Sequence, residues 1–88
     1  MKQDAANKME ALVLTEKTVS FGGMLLEYRL LGYAAYANRF RICILMGEER
    51  AEYAVGNDLD TALQLYHAVV GGRVTPCGLR DVLDDLCG

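Results

Sequence analysis

Residues 40–46 read Phe40-Arg41-Ile42-Cys43-Ile44-Leu45-Met46, and this stretch decides the fold. Phe40, Ile42, Ile44 and Met46 share one side of an extended chain, while Arg39, Arg41, Cys43 and Leu45 share the other. Alternation at a period of two predicts a strand with one face turned toward a core. Upstream, Met24–Tyr36 is a longer extended segment. Met24, Leu26, Tyr28 and Leu30 make its apolar face, and Glu27 and Arg29 occupy the other. Gly32 interrupts this run and predicts a bulge or bend, so residues 33–36 are assigned to neither face. Before it, Phe21-Gly22-Gly23-Met24 supplies a two-glycine hairpin turn. Ala11–Val19 carries Val13, Thr15, Thr18 and Val19, β-branched residues that suit a pleated surface.

Downstream, Arg50–Val55 follows the turn Gly47-Glu48-Glu49 as a shorter strand with Ala51, Tyr53 and Val55 facing in. Ala37-Asn38 predicts the remaining turn. Four strands joined by loops this short favour an antiparallel meander, because parallel strands need long crossovers.

The period changes after Gly56. Asn57 is placed to cap a helix, with Asp58 and Asp60 complementing its positive end. Leu59, Ala62, Leu63, Tyr66 and Val70 form its apolar stripe, and Gly71-Gly72 predicts a left-handed stop. Thr75-Pro76 opens a second helix, with Leu79, Val82, Leu83 and Leu86 as its stripe. The predicted architecture is α+β: a four-stranded antiparallel meander followed by two C-terminal helices packed on one face. Residues 1–10 are expected to be a flexible N-terminal segment, and 11–88 a single two-layer domain.

Composition agrees with one domain of this kind. The 88 residues are 52% hydrophobic and 24% charged, which is ordinary globular usage. A net charge of −3, well mixed along the chain, argues against nucleic acid or an anionic membrane as partner. No stretch reaches the ~18 apolar residues of a membrane span, and the polar start MKQDAANKME is unlike a signal peptide. Three cysteines, Cys43, Cys77 and Cys87, cannot all pair within one chain, which points to a cytoplasmic setting.

Few residues carry chemistry. His67, the only histidine, has no evident nucleophile or metal-spaced partner, and it reads as structural or solvated. Asp58, Asp60, Asp81, Asp84 and Asp85 match no calcium-loop spacing and read as solvated helix faces. Tyr28, Tyr33, Tyr36 and Tyr53 with Arg29, Arg39 and Arg41 could form a base-stacking platform, but Tyr28 points to the core and Glu27 and Glu52 share the arginine face. No phosphate loop, metal or cofactor site is expected. Cys77 falls in the first turn of the last helix, where the helix dipole favours thiolate, making it the candidate reactive thiol.

The segment Gly72-Arg73-Val74-Thr75-Pro76-Cys77-Gly78-Leu79-Arg80-Asp81-Val82 resembles the closing signature, of the type S/T-P-x-x-L-R-D-V, of a family of small bacterial proteins from clostridia and related gut Firmicutes. The opening Val13-Leu14-Thr15-Glu16, the hairpin and the tyrosine-bearing strand are similar too, so the resemblance covers about residues 11–87. Gly78 departs from it, standing where the family has a larger residue. The family is a domain of unknown function, so the resemblance implies a source and a size class but no activity.

Two helical stripes and one sheet face absorb most of the hydrophobic residues. Val13, Leu31, Cys43 and Leu45 are left on the other sheet face, which predicts that a second molecule covers them. Arg80-Asp81, a charged pair on the last helix, is a further candidate contact. The expectation is a non-enzymatic interaction module, homodimeric or bound to another protein. The alternatives are a redox regulator using Cys77 and a weak nucleic-acid binder using the arginine-bearing sheet face.

Overall fold

The computed structural model describes residues 12–33 and 39–87. Strands β1 (Leu12–Phe21), β2 (Met24–Gly32), β3 (Phe40–Met46) and β4 (Glu49–Ala54) precede helix α1 (Leu59–Gly71), a 3₁₀ turn (Pro76–Gly78) and helix α2 (Leu79–Cys87). The strands lie side by side in chain order, each antiparallel to the next. This is the α+β meander that the short turns predict. Gly22 and Gly23, with φ of 58° and 85°, make a mirror-image turn whose twist matches that of the flanking strands. The N-terminal segment 1–10, Tyr36, the turn at Ala37-Asn38 and the side chain of Cys87 lie outside the described residues.

The alternation in β2 and β3 fills one face of the sheet. Leu26, Tyr28, Leu30, Ile42 and Ile44 are buried there with Val55, against Ala62, Tyr66 and Val69 of α1 and Leu79 and Leu83 of α2. Met24, at the hairpin end of the same face, is exposed. Helix α1 lies across β2 and β3, and α2 lies against β4. Two phenols tie the layers together. The Tyr28 hydroxyl donates to the Val74 carbonyl at 3.0 Å, and the Tyr66 hydroxyl donates to the Tyr28 carbonyl at 3.1 Å. Burial pushes the pKa of both phenols above the usual value, an effect that the nearby Arg73 charge partly opposes at Tyr28.

Several local expectations are corrected by their surroundings. The irregularity expected at Gly32 belongs to β1, where the register slips between Val13 and Thr15 and leaves Leu14 as the extra residue. Gly32 lies beneath it, and a β-carbon there would come 3.3 Å from Leu14 Cδ1. Asn57 does not cap α1. Its Oδ1 accepts the Arg39 N–H at 2.9 Å, holding the start of β3, and Asp58 takes the cap position and accepts from Thr61 Oγ1. The buried stripe of α1 is also rotated from the expected one: Val69 is buried, and Leu59 is exposed.

Nor does α1 stop at a left-handed glycine. Gly72 is right-handed at φ −84°, and the left-handed residue is Arg73 at φ 51°. The Arg73 N–H bonds the Val70 carbonyl and the Val74 N–H bonds the Val69 carbonyl, which together form a Schellman closure. An arginine in this conformation costs about 1 kcal/mol relative to glycine.

Candidate functional site

The sheet face away from the helices was expected to expose its apolar residues. Instead, long polar side chains roof it. Cys43 lies between Arg29 of β2 and Glu52 of β4, and Leu31 lies between Val13 of β1 and Arg41 of β3. Arg29 Nη2 sits 2.8 Å from Glu27 Oε1, and its Nε sits 3.3 Å from Glu16 Oε1 without hydrogen-bond alignment. The Arg50 guanidinium is 3.6 Å from Glu52 Oε1 and also reaches the Cys43 sulfur. Tyr33 crosses β3, donating to Glu52 Oε2 at 3.2 Å and passing 5.8 Å beneath the Arg41 guanidinium. Charged side chains carry aliphatic stems, and here the stems do the covering.

The apolar surplus on this face is therefore corrected. Cys43 is 2% exposed and Leu31 7%, both covered by their own chain. Leu45 is half-buried and Val13 is half-exposed. Arg80 and Asp81 are both exposed on α2. The four apolar candidates therefore do not form one open patch.

Apart from Leu59 and Leu86 on the helices, the exposed large apolar side chains among the described residues lie on β1 and the hairpin it makes with β2. Leu12 is 70% exposed and Leu25 60%, and Val13, Leu14, Phe21 and Met24 are exposed as well. Of the ten residues of β1, only Thr15 and Val19 are even half-buried. On the helix side, β1 presents Thr15, Lys17, Val19 and Phe21, opposite Leu30, Tyr28, Leu26 and Met24. Its far edge borders no other described strand. Near its start, Leu12, Leu14, Gly32, Tyr33, Arg39 and Phe40 line an apolar hollow of about 170 Å³.

The remaining candidates are spread over the molecule. Cys77 is exposed, but it sits in the 3₁₀ turn ahead of α2 and not in the helix itself, which weakens the dipole argument. It lines an open hollow of about 250 Å³ with Glu49, Arg50 and Pro76. His67 is exposed, its ring edge-on to Tyr66 at 5.7 Å. Asp81, Asp84 and Asp85 line a shallow surface depression with Val82 and Leu86, and Asp84 accepts a hydrogen bond from the Tyr53 hydroxyl. Among the described residues, no three His, Cys, Asp or Glu side chains converge to hold a metal ion. Of the tyrosines and arginines weighed as a stacking platform, Tyr28 is buried in the core and Arg29 is engaged by carboxylates, Tyr33 lies under Arg41, and Tyr36 lies outside the described residues.

Reasoning from sequence missed β1 as the exposed element. The signal was Lys17, which sits on the side where β2 and β3 place only apolar residues. A charge at an inward position of an edge strand marks a place where the helices do not reach.

No helix among the described residues is long and apolar enough to cross a membrane. Compared with family models, curated proteins and solved structures, the chain matches none.

Proposed function

We propose that this protein is a small non-enzymatic interaction module of the cytoplasm that works as a homodimer. The observation that carries the reading is the bare β1–β2 hairpin. Leu12, Val13, Leu14, Phe21, Met24 and Leu25 are all exposed on one projecting element. They fall in two groups, three at the start of β1 and three around the Gly22-Gly23 turn; apolar surface left open in this way is commonly covered by closed two-fold pairing. The roofed sheet face favours the same reading over nucleic-acid binding, because Arg29 and Arg50 are held by Glu16, Glu27 and Glu52. Membership of the clostridial family that Gly72–Val82 resembles belongs to the same proposal.

Light scattering on a size-exclusion column tests it. The expected result is twice the chain mass at high micromolar concentration, shifting toward the single chain on dilution. A strict monomer at every concentration removes the homodimer.

A second reading rests on Cys77. It is exposed and lines a hollow with Arg50, whereas Cys43 is buried, so of these two thiols a responsive role would fall to Cys77. An alkylation rate at neutral pH no faster than that of a model thiol would end it.

A further inference from the structure

The homodimer just proposed can be given a geometry, which rests on that reading. The turn at Gly22-Gly23 makes Phe21 and Met24 a directly bonded pair, since a two-residue turn closes between its flanking residues. Bonded and non-bonded positions alternate along an antiparallel ladder. Phe21, Val19, Lys17 and Thr15 therefore spend their backbone groups on β2, and Ser20, Thr18 and Glu16 turn N–H and C=O outward along the open edge. That edge is regular only between the bulge at Leu14 and the turn at Gly22, which leaves the seven residues Thr15–Phe21. Their midpoint is Thr18.

We infer that β1 pairs antiparallel with β1 of a second copy about a two-fold axis at Thr18, joining the two four-stranded sheets into one. A two-fold axis normal to a continuous sheet keeps each face on its own side, so it must pass through a residue facing its own copy. Charge then selects among the positions. An axis at Lys17 sets two ammonium groups face to face, and one at Glu16 sets two carboxylates together; like charges directly opposite are destabilising. An axis at Val19 avoids both but pairs only Lys17–Phe21. At Thr18 the whole regular edge is used, with Thr18 facing Thr18, Glu16 facing Ser20 and Lys17 facing Val19. Glu16 is meanwhile held by Arg29 of its own chain. The inward lysine and the bulge normally protect an edge from pairing, and here they restrict it to one register.

Disulfide trapping and mass measurement decide the matter, both in a Cys77→Ser, Cys87→Ser background. Thr18→Cys puts two sulfurs across a bonded pair, whose Cα spacing of about 5.5 Å suits a disulfide. Near-complete oxidative cross-linking is expected. Ser20→Cys lies two residues off the axis, about 14 Å from its own copy along the strand, and stays uncross-linked. Thr18→Lys places like charges on the axis, and Thr18→Pro removes an outward N–H that the single chain does not use. Each is expected to raise the dimer dissociation constant at least a hundredfold with an unchanged circular-dichroism spectrum. Cross-linking needs no destabilised variant, so it decides even where Thr18→Lys and Thr18→Pro fail to fold. A wild-type dimer that survives Thr18→Lys, or that cross-links at Ser20→Cys and not at Thr18→Cys, overturns this geometry and leaves the homodimer standing. A wild-type monomer overturns both.

Discussion

The two faces of β3 are both buried, by different means. Ile42 and Ile44 meet the aliphatic and aromatic side chains of two helices, whereas Cys43, one residue away, lies under the arms of Arg29, Arg50 and Glu52. The first covering is dry and close-packed. The second is one side chain thick and wet on top. Low exposure therefore does not carry the same stability on the two sides. Packing against a second layer contributes dispersion and apolar transfer, and an ion-paired roof contributes mainly the shielding of its stems.

The largest effect that separates the faces is a cavity in the dry one. Ile44→Ala is expected to lower unfolding free energy by about 2–5 kcal/mol. Leu31→Ala, which removes as many carbons from beneath the ion-paired roof, is expected to cost clearly less in the same urea titration. Equal losses would mean that the roof packs like a core.

A smaller effect lies in the phenols that join the layers. Tyr28→Phe and Tyr66→Phe remove the bonds to Val74 and to the Tyr28 carbonyl, each at about 0.5–1.5 kcal/mol near neutral pH. Burial raises both phenol pKa values above the ordinary 10.0, so the folded state holds the proton more tightly than the unfolded chain does. The stability linked to the neutral phenols is full below pH 10 and is lost as pH climbs through the raised values. The double variant is expected to flatten the fall in melting temperature above pH 10; an unchanged slope would assign that fall to other groups.

The smallest effect belongs to the roof. Glu16→Gln and Glu27→Gln leave Arg29 with weaker partners, and each is expected to cost less than about 1 kcal/mol, shrinking further in high salt. A loss of several kcal/mol that persists in salt would make these surface pairs structural supports.

Both helices, the antiparallel meander and the inward residues of β2 and β3 were legible, because each rests on a period carried within a few residues. What was not legible depends on partners far along the chain. Leu31 and Cys43 look exposed until register sets Arg41 and Arg29 opposite them. Asn57 and Asp58 are both good caps, and the choice falls to Asp58 because the Arg39 N–H occupies Asn57. The left-handed position at the end of α1 falls on Arg73, next to two glycines better suited to it, and the same closure brings the Val74 carbonyl to the Tyr28 hydroxyl. The exposed candidate, β1, was hidden for a similar reason, since its residues resemble those of a covered strand and only the reach of the helices distinguishes it.

The bulge at Leu14 also bears on how the chain tolerates change in length. Leu12 and Val13 lie on the faces they would have if Leu14 were missing, because the extra residue adds one step to the count and removes it from the pleat. A single-residue deletion there would keep each neighbour on its own side of the sheet, and it would remove the Leu14 side chain that a β-carbon at Gly32 would meet at 3.3 Å. An insertion anywhere else in β1 would turn part of the strand over. Related chains that differ in length within this strand would be expected to differ at this point.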